Sequence, residues 1–479
     1  MMDLTAQQRE ELGRAALDWV LTYFGQQTAL PVYPPISERD LSARLAAPLP
    51  IAPQSPADVF EDFAEVVGGS RHNGHPRMYG YVQSSASFAG VIGDFLASAL
   101  NQNVTSWRSA PAATTVEHQV VEWMKSMVGF APGGAGLLLS GGSFANFTAI
   151  ATALRASTRV DINRAGVAAL PGAPRIYASA MTHMSIAKGA ALLGIGKDAI
   201  VTIPVDAAFR MEARALEQQI AADRAAGHHL VCAVATAGDV NTGAIDPIGA
   251  IADVCQAAGL WLHVDGSYGA LAARSPHIEG AMADLARADS LSLDPHKWLF
   301  APVDAGCLLV QRDADLRRAF AEGAGYIDVV ADSGMSDYAY WDRSPELSRR
   351  FRALKIWMLL KLHGARAVQE AIDCNIEAAR HLADLIVRSD DFELLAPVPL
   401  SIVCFRYAHG DDDFNRRVML DVQRGGDSYL SNTKVGDRFA LRACIVNYRT
   451  THADVEHLLE TIRSSARSLR PGTLGTEAP

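Results

Sequence analysis

The chain of 479 residues is 49% hydrophobic and 20% charged, an ordinary globular composition with room for about two or three domains. Its net charge of −10, without a basic block, argues against nucleic acid or an anionic membrane as a partner. A polar, acidic N-terminus, no apolar run that could span a bilayer and six scattered cysteines predict a cytoplasmic protein with reduced thiols and no metal site.

Residues 1–87 are predicted to form a helical arm and linker. Leu12, Ala16, Trp19 and Tyr23 recur at helical spacing, which predicts an amphipathic helix. The prolines between residues 31 and 56 then interrupt regular structure. Because such an arm has little core of its own, we expect it to pack on a second subunit.

Strands and helices alternate from about residue 88, which predicts a large domain, residues 88–369, built on a mainly parallel sheet covered on both faces. Asp246 and Pro247 fit the N-cap and first position of one of its helices. The predicted strands cover residues 137–139, 175–179, 199–205, 230–235, 260–265, 290–293 and 307–310.

The turn after the first of these strands, Ser140-Gly141-Gly142-Ser143, leads into a helix. Free backbone N–H groups at such a helix N-terminus bind phosphate well. The same residues are equally typical of a plain glycine turn with a serine cap, so the turn alone leaves both interpretations open.

The sequence SLSLDPHKWLF, residues 290–300, holds the residue around which we organise the chain. Leu291 and Leu293 alternate with serines, which predicts a strand that Pro295 ends. His296 and Lys297 therefore follow a strand end, where α/β folds bind their ligands. A lysine in that position can form an imine with a carbonyl cofactor.

The C-terminal third has a different pattern. Residues 322–345 show weak periodicity, which is typical of a lid or of a disordered loop. Helices are predicted over residues 349–364, ended by Gly364, and over residues 371–387. Strands over 400–407 and 438–448, with a helix between them and another after, predict a small α+β domain of residues 370–479.

Four polar residues at strand ends or strand–helix turns together predict a site for pyridoxal 5′-phosphate (PLP). Lys297 would hold the cofactor as an imine. Asp265, at the end of an apolar strand, would keep the pyridine nitrogen protonated and make the ring an electron sink. Gly142 and Ser143 would take the phosphate, and the flat ring of His183 would stack on the cofactor.

These residues and their motifs resemble the group II PLP-dependent amino-acid decarboxylases, the family of aromatic-L-amino-acid decarboxylase. The resemblance covers nearly the whole chain and implies fold type I, the aspartate-aminotransferase-like fold, in an obligate homodimer. It rests most on Pro295-His296-Lys297-Trp298, supported by His75-Pro76, residues 140–146, His183-Met184-Ser185, Asp246-Pro247 and His263-Val264-Asp265.

The resemblance also implies catalytic roles for Lys297, Asp265, His183, His296 and Tyr326. In the family, the histidine matching His296 lies near the phosphate and the substrate. The tyrosine matching Tyr326 comes from a mobile loop of the neighbouring subunit and protonates the product after carbon dioxide leaves.

The sequence departs from the family pattern beside the predicted cofactor contacts. After the strand that ends at Thr236, itself a predicted cofactor contact, Gly238-Asp239 replaces the usual Gly-Thr. Asp-Gly-Ser at residues 265–267 replaces Asp-Ala-Ala. Asp294 replaces the asparagine of the animal enzymes, and its charge would crowd the phosphate unless the side chain faces elsewhere.

The resemblance places Tyr81 and Val82 in the substrate pocket, with Asn103 and Thr105 from the second subunit. No basic residue obviously lines that pocket, which favours an aromatic L-amino acid (tryptophan, tyrosine, dopa or phenylalanine) over glutamate or aspartate. The expected reaction is decarboxylation to the amine. The alternatives are a decarboxylase of a non-aromatic amino acid, an aromatic aldehyde synthase that also deaminates oxidatively, and a non-catalytic scaffold of the same fold.

Overall fold

The computed structural model describes residues 3–278, 280–322 and 338–470. Within these ranges the α-helices are α1 (Ala6–Gln26), α2 (Glu38–Leu45), α3 (Pro56–Gly68), α4 (Phe88–Leu100), α5 (Pro111–Val128), α6 (Gly142–Ala156), α7 (Ile162–Ala165), α8 (Ser185–Leu192), α9 (Ala213–Ala225), α10 (Ile248–Ala258), α11 (Pro295–Trp298), α12 (Asp313–Phe320), α13 (Ala353–Val387), α14 (Asp412–Gly425) and α15 (His452–Ser468). The strands are β1 (Ala135–Leu139), β2 (Pro174–Ser179), β3 (Ile200–Ile203), β4 (His229–Thr236), β5 (Trp261–Asp265), β6 (Ser290–Leu293), β7 (Gly306–Val310), β8 (Phe392–Leu394), β9 (Ile402–Tyr407), β10 (Ser431–Val435) and β11 (Arg438–Cys444).

The first seven strands form one sheet in the order β1-β7-β6-β5-β4-β2-β3. Its pairs are parallel from β6 through β3, whereas β7 is antiparallel to both β6 and β1. Every residue of β5, β6 and β7 is buried, which requires cover on both faces of the sheet. The predicted α/β fold with a mainly parallel sheet is confirmed.

The strand directions bring six carboxyl ends to one edge of the sheet. Because β1 and β6 are both antiparallel to β7, β1 runs in the same direction as β6 and its parallel neighbours. The register places Thr236 opposite Asp265, and Asp265 opposite Ser292. The turns that follow these strands therefore meet at one edge, where open α/β sheets bind their ligands.

Two local predictions in the large domain are wrong. Strand β3 ends at Ile203, two residues before its predicted end, since Pro204 cannot donate to the ladder. Asp246 does not cap α10, whose N-cap is Pro247 and has no side-chain cap. Its carboxylate instead accepts the backbone N–H groups of Met211 (2.6 Å) and Thr236 (2.8 Å), so it fixes the end of β4.

Helix α13 continues through the predicted boundary between the large and small domains. Gly364, with φ 79° and ψ 156°, breaks the helical geometry at the predicted position. The helix resumes directly after Gly364 and before residue 371, where its start was predicted, because residues 365–370, ARAVQE, are good helix formers without a breaker. The domain boundaries at residues 87/88 and 369/370 stay predictions.

The C-terminal residues form a second, antiparallel sheet in the order β10-β11-β9-β8. The strands β9 and β11 are slightly shorter than predicted, and sequence patterns missed both outer strands. Strand β8 has only three residues, and β10 is the polar segment SNTKV at the sheet edge. Short polar edge strands carry little hydrophobic alternation, which is the signal that predicts a strand.

The N-terminal helices α1, α2 and α3 contain no buried residue. Trp19 of α1 packs edge-on against Phe63 of α3, with ring centroids 4.8 Å apart. Leu17, Leu21 and Val59 remain exposed on these helices. No helix in the described part of the chain is long and apolar enough to cross a membrane.

Candidate active site

A cavity of about 800 Å³ opens at the edge where the parallel strands end. The predicted site residues that line it are Val82, Gly142, Ser143, His183, Thr236, Asp265, His296 and Lys297. Tyr81, Asn103 and Thr105 do not line it in a single chain. Tyr326 lies outside the described residues. The predicted cofactor residues thus surround one cavity, while their individual roles stay predictions.

Lys297 is held at the cavity by the residue that follows it. Trp298 is fully buried, its indole Nε1 donates to Asn375 Oδ1 (3.0 Å), and its ring stacks on Tyr268 at 4.9 Å. A buried tryptophan with its N–H satisfied anchors the short helix α11 firmly. The preceding Lys297 therefore points into the cavity from a fixed backbone.

The Lys297 ammonium lies 2.8 Å from Asp294 Oδ2. The lysine side chain is 24% exposed and the aspartate side chain only 3% exposed. His296 Nε2 lies 3.8 Å from the same carboxylate oxygen. Asp294 thus lines the cavity and pairs with the lysine, and the expectation that its charge crowds the phosphate stays a prediction.

The turn between β1 and α6 is closely packed and depends on glycine. Helix α6 begins at Gly142 and has no side-chain cap. A Cβ on Gly142 would collide with Ser267 Oγ and lie 2.7 Å from Asp294 Oδ2, and a Cβ on Gly306 would lie 2.5 Å from the Gly141 backbone. Only glycine fits at these two positions, and the backbone N–H groups at the start of α6 remain available for an anion.

Asp265 is buried at the end of β5, and three groups donate hydrogen bonds to it. Asn146 Nδ2 donates to Oδ2 (2.8 Å), while Ser292 Oγ and the Ser267 backbone N–H donate to Oδ1 (both 3.1 Å). Burial acts to raise the pKa of Asp265, but the hydrogen bonds from Ser267 and the charge of Lys297 outweigh it and lower the pKa. The carboxylate is therefore held ionised.

A buried chain of hydrogen bonds fixes the side chain of Asn146. His263 Nε2 lies 3.0 Å from Asn146 Oδ1, which can only accept, so this nitrogen carries the proton. His263 Nδ1 then accepts from Ser290 Oγ (2.9 Å), which itself accepts from Trp261 Nε1 (2.9 Å). Burial lowers the pKa of His263 to about 4, so the imidazole is neutral in this chain.

The same asparagine connects Asp265 to His183. Asn146 Nδ2 also donates to Ser185 Oγ (2.9 Å), and Ser185 Oγ lies 2.8 Å from His183 Nδ1. The Ser185 backbone N–H points at the same ring nitrogen (3.3 Å). Nδ1 therefore accepts, and the proton of the neutral His183 ring is on Nε2. Burial lowers the pKa of His183, which favours this neutral form.

The backbone of residue 305 orients His296 at the other side of the cavity. Its Nδ1 accepts the Ala305 backbone N–H at 3.2 Å, which leaves Nε2 toward Asp294. Its Cε1 lies 3.3 Å from the Cβ position of Gly141. Burial is the largest influence on its pKa and lowers it.

Asp239, a departure from the family pattern, closes a loop and does not line the cavity. Its carboxylate accepts from the backbone N–H groups of Asn241 (2.7 Å) and Ala244 (2.8 Å) and from the Thr242 hydroxyl (2.5 Å). This loop carries Gly238 and Val240, which do line the cavity. The substitution therefore acts on the shape of the cavity wall.

The predicted pocket residue Tyr81 is half exposed, with φ 62°, and its ring lies under the Arg71 guanidinium at 5.1 Å. Asn103 and Thr105 were expected to act from a second subunit, so one chain leaves that prediction open. Sequence patterns missed Lys188, which lines the cavity. The expectation that no basic residue lines the substrate pocket itself stays a prediction. The other lining residues that no single pattern marked include Phe144, Phe147, Leu192, Val240 and Tyr268.

The residues present fit PLP. The cavity combines an amine, an uncapped helix N-terminus for a phosphate and a buried carboxylate held ionised, which are the three groups that PLP needs. Thr236 Oγ1 is buried at the cavity wall and finds no hydrogen-bond partner among the described residues. Buried hydroxyls are normally satisfied, so this one is available to a polar ligand.

Comparisons with known proteins agree with this arrangement. Residues 39–408 match the pyridoxal-dependent decarboxylase conserved domain. The chain is 33% identical to the aromatic-L-amino-acid decarboxylase of Bacillus atrophaeus, over 98% of this chain and 97% of the relative, and 30% identical to the 4-hydroxyphenylacetaldehyde synthase of Rhodiola rosea, over 98% and 96%. The crystal structure of Oryza sativa TDC with PLP and tryptamine has a TM-score of 0.90 and 29% identity, over 98% of this chain and 99% of that chain.

The neutral, buried His263 predicts a specific dependence of stability on pH. Because its pKa falls from 6.5 to about 4 on folding, the unfolded chain binds one more proton than the folded chain between these values. The contribution of the neutral His263 to the free energy of unfolding is complete above pH 6.5 and is lost as the pH falls. Replacing His263 with Gln should make the free energy of unfolding fall less steeply on acidification. The slope should decrease by up to about 1.4 kcal/mol per pH unit.

Chemical denaturation of both proteins at several pH values between 4.5 and 7 measures this difference. His363→Gln is the matched control, since His363 is exposed on α13 and should leave the wild-type slope unchanged. Parallel curves for wild type and His263→Gln would contradict a neutral buried imidazole.

Proposed function

The chain belongs to the pyridoxal-dependent decarboxylase family, and we propose that its substrate is an aromatic L-amino acid, converted to the amine and carbon dioxide. Membership of the family makes it a PLP-dependent amino-acid decarboxylase, a carboxy-lyase of fold type I. The observation that carries the proposal is the meeting of Lys297 and the ionised, buried Asp265 at one cavity with apolar and aromatic walls.

We assign the roles in this site from the contacts of each side chain. Lys297 is the point of covalent attachment, and the start of α6 binds the phosphate through Gly142 and Ser143. Asp265 would hold a proton on the pyridine nitrogen, and His183, with its own proton on Nε2, would stack on the ring. When bound, PLP supplies the electron sink that accepts the electron pair of the broken Cα–carboxylate bond.

The walls of the cavity support an aromatic substrate. Phe144 and Phe147 line it and stack on each other in nearly parallel planes, with centroids 5.6 Å apart. Val82, Val240 and Leu192 add apolar surface. Lys188 is the opposing observation, since an ammonium at the wall could pair with a side-chain carboxylate. The balance of apolar surface favours an aromatic ring over a second carboxylate.

An aromatic aldehyde synthase is the second candidate, because the Rhodiola rosea relative is named as one at 30% identity. Decarboxylation is common to both reactions, and they differ in whether the product is protonated at Cα or oxidised. We favour plain decarboxylation because the sequence resemblance matches His183 and Tyr326 to residues that the decarboxylases of the family use. Measuring amine and aldehyde together separates the two.

We further propose a homodimer in the cytoplasm whose active site is completed by the second subunit. The exposed apolar residues of α1 and α3 support such an association, as do Met184 and Leu192, which are 63% and 77% exposed beside the cavity. All six cysteines are free thiols, which suits a reducing compartment. Tyr326 of the second subunit would deliver the proton to Cα.

A substrate panel tests the proposed specificity. Under the proposal, kcat/KM for tryptophan, tyrosine, dopa or phenylalanine exceeds that for glutamate and aspartate by about a hundredfold or more, because a buried second carboxylate would lack a full set of partners. Assays of carbon dioxide and amine measure this, with Lys297→Ala as the inactive control. An acidic amino acid as the best substrate, with that preference lost in Lys188→Met, would overturn the aromatic assignment.

Tyr326→Phe tests the proton donor, because it removes one hydroxyl and keeps the ring. If the phenol protonates Cα, amine formation should fall about a hundredfold or more, and aldehyde formation with oxygen uptake should rise as amine falls.

Mixing this variant with Lys297→Ala tests the sharing of the site. Mixed dimers contain one site with an intact lysine and an intact tyrosine, so activity should return on mixing. Unchanged amine output, or no recovery on mixing, would remove the corresponding part of the proposal.

A further inference from the structure

Asp294 carries a negative charge into the place where the phosphate is expected. It directly follows β6, and its Oδ2 lies 2.7 Å from the position of a Cβ on Gly142, the first residue of α6. Its side chain is 3% exposed. The carboxylate is therefore packed against the uncapped helix N-terminus, and it uses the same favourable field that a phosphate would use.

The hydrogen bonding of this carboxylate is incomplete. Oδ2 accepts from the Lys297 ammonium at 2.8 Å. Oδ1 is buried and finds no partner within residues 3–278, 280–322 and 338–470. A buried carboxylate oxygen without a donor is costly, so a proton on this carboxylate would lower that cost.

Binding of PLP makes the charge balance worse in two ways. The phosphate adds up to two negative charges beside the carboxylate. Lys297, once covalently attached, no longer offers the free ammonium that neutralises Asp294. Two anions that must occupy one buried site relieve their repulsion by sharing a proton, as paired carboxylates do.

We propose that Asp294 and the phosphate of PLP share one proton in the loaded protein, so that above neutral pH the binding of PLP takes up one more proton than the binding of pyridoxal does. The proton lies between the Asp294 carboxylate and a phosphate oxygen. The inference rests on the phosphate site assigned above to the Ser140–Ser143 turn.

The other groups that face Asp294 do not supply a compensating positive charge. His296 on the same segment has its pKa lowered by burial and is neutral. On β5 and the turn after it, Asp265 is ionised and Ser267 is uncharged. His183, from the turn before α8, also has its pKa lowered by burial. Lys297 is the one described cation in contact with Asp294, and its nitrogen becomes part of the covalent link on loading.

Pyridoxal, which lacks the phosphate, isolates this effect from attachment to the lysine. The ratio of the dissociation constants for pyridoxal and PLP should be measured on apoprotein between pH 6.5 and 8.5. In wild type the advantage of PLP should fall about tenfold per pH unit once free phosphate is a dianion. In Asp294→Asn the ratio should be nearly independent of pH, and PLP should bind more tightly at pH 8.5. Asp253→Asn, which removes an exposed carboxylate on α10, should keep the wild-type slope.

Phosphorus-31 NMR of the loaded proteins gives an independent readout that does not depend on activity. At pH 7.5 the bound phosphate of wild type should resonate away from the dianion position, whereas that of Asp294→Asn should lie at it. Identical slopes in wild type and Asp294→Asn, or a wild-type resonance at the dianion position, would overturn the inference while PLP still binds. A protein that binds neither PLP nor pyridoxal would contradict the cofactor assignment itself, and the inference would fall with it.

Discussion

The structure of the site depends on keeping one buried carboxylate ionised. Asp265 lies inside the molecule at the end of β5, where a bare charge would cost several kcal/mol. The parallel register places Ser292 beside it, and α6 supplies Asn146, whose amide is held in one orientation by His263. The helix that carries Asn146 begins at Gly142, in the turn that is expected to bind the phosphate. One element therefore positions both the anion site and the support of the buried charge.

This arrangement explains why residues far apart in sequence behave as one unit. Asn146 contacts both Asp265 and Ser185, and Ser185 sets which nitrogen of His183 carries the proton. The Asn146 amide thus connects the His183 ring, which is expected to stack on the cofactor, to the Asp265 carboxylate, which is expected to keep the pyridine nitrogen protonated. Only a neutral His263 fits such a chain, because its two nitrogens must donate to Asn146 and accept from Ser290.

The parts of the site that follow strand ends could be predicted from sequence. Lys297, Asp265 and the Gly142 turn each come directly after an apolar run, and parallel strands bring such ends together. The supporting residues could not be found in this way, since Asn146 and Ser185 lie on helices and His263 lies within a strand, where nothing marks a polar side chain as paired. Asp246 shows the same limit, because its cap-like sequence position says nothing of Thr236 and Met211, which it binds. Tyr81 and the residues expected from a second subunit depend on contacts that one chain does not contain.

Two lysines line the cavity, and only Lys297 is proposed to bind the cofactor. Lys297 is anchored by Trp298 and paired with Asp294, whereas Lys188 is on the exposed face of α8. The most direct test is borohydride reduction of the purified yellow protein, followed by proteolysis and mass spectrometry of the labelled peptide. We expect the pyridoxyl-phosphate mass on Lys297 alone; its appearance on Lys188, or on no lysine of this cavity, would contradict the assignment.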